Sequence, residues 1–133
     1  MAETRTVNEE YGRIGAKLIA NEPSLEGLRE SSARIAYLSS DAEKKSGGQW
    51  VHAECEKVPA KWQWAAPYDF IVTVYEPNTA HLSPEQLRIL LHHELLHAEA
   101  VKKEDGGESY RIRPHDVGEF AEIIELYGLG WDE

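Results

Sequence analysis

Residues 83–103, SPEQLRILLHHELLHAEAVKK, carry more information than any other stretch of this chain. Ser83 supplies an N-cap, Pro84 suits the first helical position, and Glu85 and Gln86 place acidic and amide groups in the first turn. Leu87, Leu90, Leu91, Leu95 and Ala98 then form a broad apolar stripe. Lys102 and Lys103 complement the negative end of the helix dipole. The pattern predicts a packed helix over 83–103. In its middle stands H-E-L-L-H: His93, Glu94 and His97. Positions i and i+4 share a helix face, so both imidazoles can point at one metal ion. Glu94 lies about 100° around the axis and can reach a water on that metal without filling a ligand position. This is the arrangement of a zinc-dependent hydrolase. The alternative is a hydrogen-bonded structural cluster. It has to meet the desolvation of three polar groups inside an apolar helix, and that favours the metal.

A catalytic zinc takes three protein ligands and leaves a position for water. His93 and His97 supply two. The third comes from His115, Asp116, Glu119, Glu99, Glu104 or the upstream histidines, and His115 is the best choice. It stands between an expected strand and an expected helix, where a loop can direct its side chain inward. Asp116 can cap the last helix, with Glu119 at N3 completing a capping box. Either acid is also an alternative ligand, and Asp116 can instead orient a ligand imidazole. Glu99 diverges from His97 around the helix. His92 points away from Glu94, towards a structural hydrogen bond or a substrate contact. His52 and His81 are isolated signals. Tyr110, Tyr68 and Arg113 are candidate donors to a developing oxyanion.

Composition bounds the class. The chain has 133 residues, enough for one modest core, and 41% are hydrophobic, with four Trp. We expect a single domain over 1–133. No run approaches the length of a membrane span, and MAETRTVNEE lacks a signal-peptide pattern. A single cysteine, Cys55, fits a reducing cytoplasm. Its place in HAECEKV reads as a small buried thiol in a strand. The net charge of −10 argues against direct binding to a nucleic acid backbone, which needs a basic surface. Interspersed lysines read as a solvated face.

Along the chain, residues 1–7 read as frayed and 8–20 as a short helix broken by Asn21-Glu22-Pro23. Ser24 can cap a second helix through about Leu38. Ser39–Gly48 reads as a polar loop with Gly47-Gly48 at its sharp point. Gln49–Val58 alternates weakly and predicts a strand, and Pro59–Pro67 an irregular crossover. Asp69–Tyr75 (DFIVTVY) is the strongest strand. Asp105-Gly106-Gly107 predicts a turn, Ser109–Arg113 a short strand, and Pro114-His115-Asp116 the lead into a last helix reaching about Tyr127. The fold class is α+β: a small antiparallel sheet of about three strands, packed with helices, with the H-E-x-x-H helix central.

LSPEQLRILLHHELLHAE followed by RPHDVGEFAEIIELYGLGW resembles the phage-type metallopeptidase domain. That group is similar to the broader minimal zincin-like peptidases, the SprT-like type among them. The resemblance is most specific over residues 82–131 and loose over the first 60. The family's H-E-x-x-H falls on His93, Glu94 and His97, and its H-D-x-x-E-F on His115, Asp116, Glu119 and Phe120. It implies a zincin-like fold, a phage or prophage origin, and a protein or peptide substrate.

The expected activity is zinc-dependent hydrolysis of peptide bonds, with Glu94 as general base and Zn²⁺ on His93, His97 and His115. Two alternatives stand beside it: a non-catalytic, metal-stabilised binding or regulatory protein of phage origin, and a metallohydrolase of a non-peptide bond.

Overall fold

Phe70–Tyr75 forms the strand around which the fold is built, as its aromatic and β-branched run predicts. The computed structural model describes residues 2–115, 123, 126, 127 and 131. In chain order the elements are β1 (Arg5–Val7), α1 (Glu9–Asn21), α2 (Glu26–Arg29), β2 (Ile35–Ser40), β3 (Lys45–Ser46), β4 (Gln49–Trp50), β5 (Ala53–Lys57), β6 (Phe70–Tyr75), α3 (Glu76–Thr79), α4 (Pro84–His97), β7 (Ala98–Lys102) and β8 (Glu108–Ile112). The class is α+β, as expected.

Among the described residues the main sheet has four strands in the order β1-β2-β6-β5, with two-stranded hairpins β3-β4 and β7-β8 besides. Its β2–β6 pair is parallel, with Ile35 opposite Phe70 and Ser40 opposite Tyr75. The other two pairs are antiparallel. This corrects the expectation of about three antiparallel strands. Arg5–Val7 is not frayed but pairs with β2. Ile35–Leu38 does not continue a helix. The helical segment stops at Arg29, and IAYL, rich in β-branched and aromatic character, satisfies its backbone against β6. Neither segment alternates strongly enough to show its partner.

Phe70, Val72 and Val74 turn one face of β6 to the helices, where they meet Leu90, Leu91, Leu95 and Leu18. Leu91 and Leu95 are fully buried. Each such leucine contributes roughly 1.5–3 kcal/mol relative to an exposed one. On the opposite face, Arg5 donates to Thr73 Oγ1 (3.3 Å) and pairs with Glu56 (3.6 Å), while Lys44 pairs with Glu54. This polar layer shields Thr73 and Tyr75, both fully buried. Helix α1 fits tightly against β2: a Cβ at Gly15 would overlap the Tyr37 hydroxyl and ring.

Helix α4 begins as its sequence predicts. Ser83 Oγ accepts from Gln86 N (3.2 Å) and Gln86 Oε1 accepts from Ser83 N (2.8 Å), a complete capping box. Its end differs from expectation. The helix stops at His97, and Ala98 is already extended and opens β7. Residues 98–102 have adequate helix propensity, but pairing with β8 overrides it. The expected Asp105-Gly106-Gly107 turn closes this hairpin, with Gly106 at φ 87°, a conformation glycine adopts without penalty. The expected last helix lies mostly outside the described residues. Of its expected inward residues, Ile123 is fully buried.

Candidate metal centre

α4 presents His93 and His97 on one face, both half-buried, with Glu94 buried beside them. The hairpin brings the third imidazole. Ala98 lies opposite Ile112, and one step beyond that pair Arg113 N donates to His97 O (2.7 Å). Two residues later His115 reaches back over the helix. His115 Nε2 lies 2.9 Å from His93 Nε2. The three ring centroids are separated by 5.2, 4.7 and 4.6 Å.

This donor set fits a metal. One nitrogen from each of His93, His97 and His115 lies within 4.8 Å of the others, a cluster able to coordinate an ion. Two nitrogens on one tetrahedral zinc stand about 3.3 Å apart, close to the His93–His115 spacing. His97 Nδ1 donates to the carbonyl of Arg113 at 2.7 Å. A carbonyl only accepts, so in the neutral ring Nε2 keeps its lone pair for an ion. Glu94 Oε2 lies 3.9 Å from His93 Nε2, outside the nitrogen cluster but next to it.

The centre opens into a cleft of about 350 Å³, walled by Ile112 on one side and by Ala53, Glu54 and Cys55 of β5 on the other. Among the described residues, β5 is the last strand of the sheet. At its two flanks the His52 carbonyl accepts from Tyr75 N and Val58 N donates to Asp69 O. The antiparallel alternation therefore turns the peptide groups of Glu54 and Glu56 towards β6, and those of Ala53, Cys55 and Lys57 away from it. Burial, and then the nearby Glu94 carboxylate, push the Cys55 thiol well above its ordinary range, so it is a poor nucleophile.

The structure places the other candidates as follows. His92 is fully buried, its Nε2 2.9 Å from Ser24 Oγ and its Nδ1 3.0 Å from Tyr127 Oη. It stitches the core and does not line the cleft, so the substrate-contact role gives way to the structural one. Tyr110 packs edge-on to Phe70 and its hydroxyl donates to Glu108 (2.9 Å). That carboxylate neighbour, after burial, raises its pKa to about 12. Tyr68 lies beyond the Lys57 end of β5, away from the cleft. Arg113 contributes through its backbone carbonyl, a role the reading of its side chain missed. The alternation of SYRIR after a D-G-G turn is the signal that could have found it. Asp116, Glu119 and Phe120 lie outside the described residues. Among the described residues no helix is long and apolar enough to cross a membrane.

The family model described as "Putative phage metallopeptidase" matches residues 4–133. No curated protein and no solved structure matches the chain.

Proposed function

The chain belongs to the phage metallopeptidase family, and from that premise we propose that His93, His97 and His115 hold one zinc ion and that Glu94 is the general base for peptide-bond hydrolysis. The observation that carries this reading is the cluster of three imidazole nitrogens with a buried carboxylate beside it. Three neutral imidazoles suit zinc better than magnesium or calcium. Zinc, when bound, supplies a Lewis acid and lowers the pKa of water near 7.

The protein's own groups do the rest. His97 is held in one tautomer by Arg113 O, so its ligand atom is pre-aimed. Glu94 Oε2 accepts the proton of the attacking water and returns it to the leaving amine. A substrate peptide adds to the outer edge of β5, where the Ala53 and Cys55 peptide groups point away from β6. That edge carries the scissile carbonyl past Glu94 and the histidines.

The same reading takes residues 1–133 as one metallopeptidase domain, supported by a family match that runs from 4 to 133. It places the enzyme in the cytoplasm of a phage's host, where a single thiol stays reduced.

A zinc-loaded crystal structure with anomalous scattering tests the reading. We expect a peak at the zinc edge on the three histidines, with no fourth protein ligand. A fourth protein ligand would overturn the hydrolase and favour a binding protein.

A further inference from the structure

The chain has six histidines. Three form the centre just described, and His92 is sealed between Ser24 and Tyr127. The remaining two meet each other. His52, just before β5, and His81, in the turn between α3 and α4, bring their ring centroids to 5.8 Å with planes inclined at 59°. The inclination excludes parallel stacking. Two imidazoles bound through nitrogen to one ion hold their centroids about 5–6 Å apart, by the ordinary zinc–nitrogen length and ring size.

Both rings stand on fixed backbone. The His52 carbonyl accepts from Tyr75 N at 2.9 Å, which ties it to β6. The turn carrying His81 is closed by Leu82 N donating to Thr79 O at 3.0 Å. Buried Asn78 lines the same cavity, and its Nδ2 donates to Lys44 O (2.9 Å) and Val51 O (2.7 Å), which pins the ends of the β3–β4 hairpin beside it. The space they enclose measures about 350 Å³, is open to water, and has the Glu43 carboxylate at its rim. It is separate from the first centre: the two cavities share no lining residue.

We infer that His52 and His81 form a second site, for a divalent transition-metal ion, at the head of β5. Two imidazoles select borderline ions such as zinc, copper(II) or nickel over magnesium and calcium. Water completes the coordination in the open cavity, and Glu43 adds negative charge nearby. Two protein nitrogens bind more weakly than three, so this site fills after the first. The net charge of −10 raises the local concentration of cations around both.

The test is a calorimetric titration of the metal-stripped full chain with zinc, together with histidine imidazole resonances followed by NMR. Wild type is expected to take up two equivalents, the second weaker, with the His52 and His81 signals moving only during the second. His81→Ala replaces an exposed side chain, so it leaves the fold and the first equivalent in place. It is expected to weaken the second at least tenfold, about the effect of losing one of two ligands. A titration that stops at one equivalent up to about 1 mM zinc overturns the inference. So does a second equivalent that persists unchanged in His81→Ala. His115→Ala separates the two sites: it should weaken the first equivalent and spare the second.

Discussion

His97 and Arg113 exchange two hydrogen bonds. Arg113 N donates to the His97 carbonyl, and His97 Nδ1 donates to the Arg113 carbonyl, both at 2.7 Å. The first extends the β7–β8 ladder onto the last residue of α4. The second sets the tautomer of an imidazole in the three-histidine cluster. One backbone position thus fixes the orientation of His97 and the point from which His115 is launched, two residues later. Register in the hairpin and geometry in the cluster are the same constraint.

His115→Ala should lower zinc affinity by at least about 100-fold, because it removes one of three imidazoles from the cluster. Competition with a chromophoric chelator measures this directly. Unchanged affinity would take His115 out of the ligand set and turn attention to Asp116 and Glu119.

Metal removal should destabilise the fold. A zinc on the proposed ligands His93, His97 and His115 would tie α4 to the end of the β7–β8 hairpin. At a free zinc concentration 100 times Kd, linkage adds about 2.7 kcal/mol. The thermal midpoint should fall on adding a chelator and recover with zinc. A midpoint indifferent to both would mean that the folded cluster binds no better than the unfolded chain.

Glu94→Gln keeps the volume and much of the hydrogen-bonding capacity of the side chain but removes the proposed base. The variant should fold and hold zinc like wild type, yet hydrolyse unfolded protein substrates at least about 100-fold more slowly. Equal rates for the two proteins would show that another group takes the proton.

Gly15→Ala should cost about 1–3 kcal/mol, since the new methyl overlaps the Tyr37 ring and forces α1 away from β2 or Tyr37 out of its place. Urea denaturation gives the number. A variant as stable as wild type would show that α1 and Tyr37 pack loosely enough to admit a methyl group.

Cys55 should react slowly with alkylating reagents at pH 8. Burial and the Glu94 charge hold its thiol well above the ordinary value, so the folded protein carries less thiolate than a free cysteine does. Folding therefore keeps its full contribution from this group below the ordinary thiol pKa and loses it as pH rises above that value, where the unfolded chain ionises and the folded one does not. Alkylation as fast as that of a free thiol at the same pH would contradict this environment.

Much of the site is legible in one helix. Ser83, Pro84 and Gln86 announce its start, and the i, i+4 spacing puts His93 and His97 on one face whatever surrounds them. These signals are short-range: a cap, a dihedral preference and a 3.6-residue period act within a few residues. The Asp105-Gly106-Gly107 turn and the Phe70–Tyr75 strand are legible for the same reason. The sequence alone therefore determined the α+β class and the helix that carries His93, Glu94 and His97, and it singled out His115, which the fold brings beside them.

Other features depend on partners far along the chain. Residues 98–102 could have continued the helix, and only pairing with 108–112 makes them a strand and carries His115 to 2.9 Å from His93. Ile35–Ser40 became a strand because Phe70–Tyr75 was there to accept it in parallel. The isolated signals of His52 and His81 became a pair because β5 starts opposite the end of β6, from which α3 leads on to His81. In each case backbone groups leave water only against a matching partner, and local sequence does not record which partner that will be.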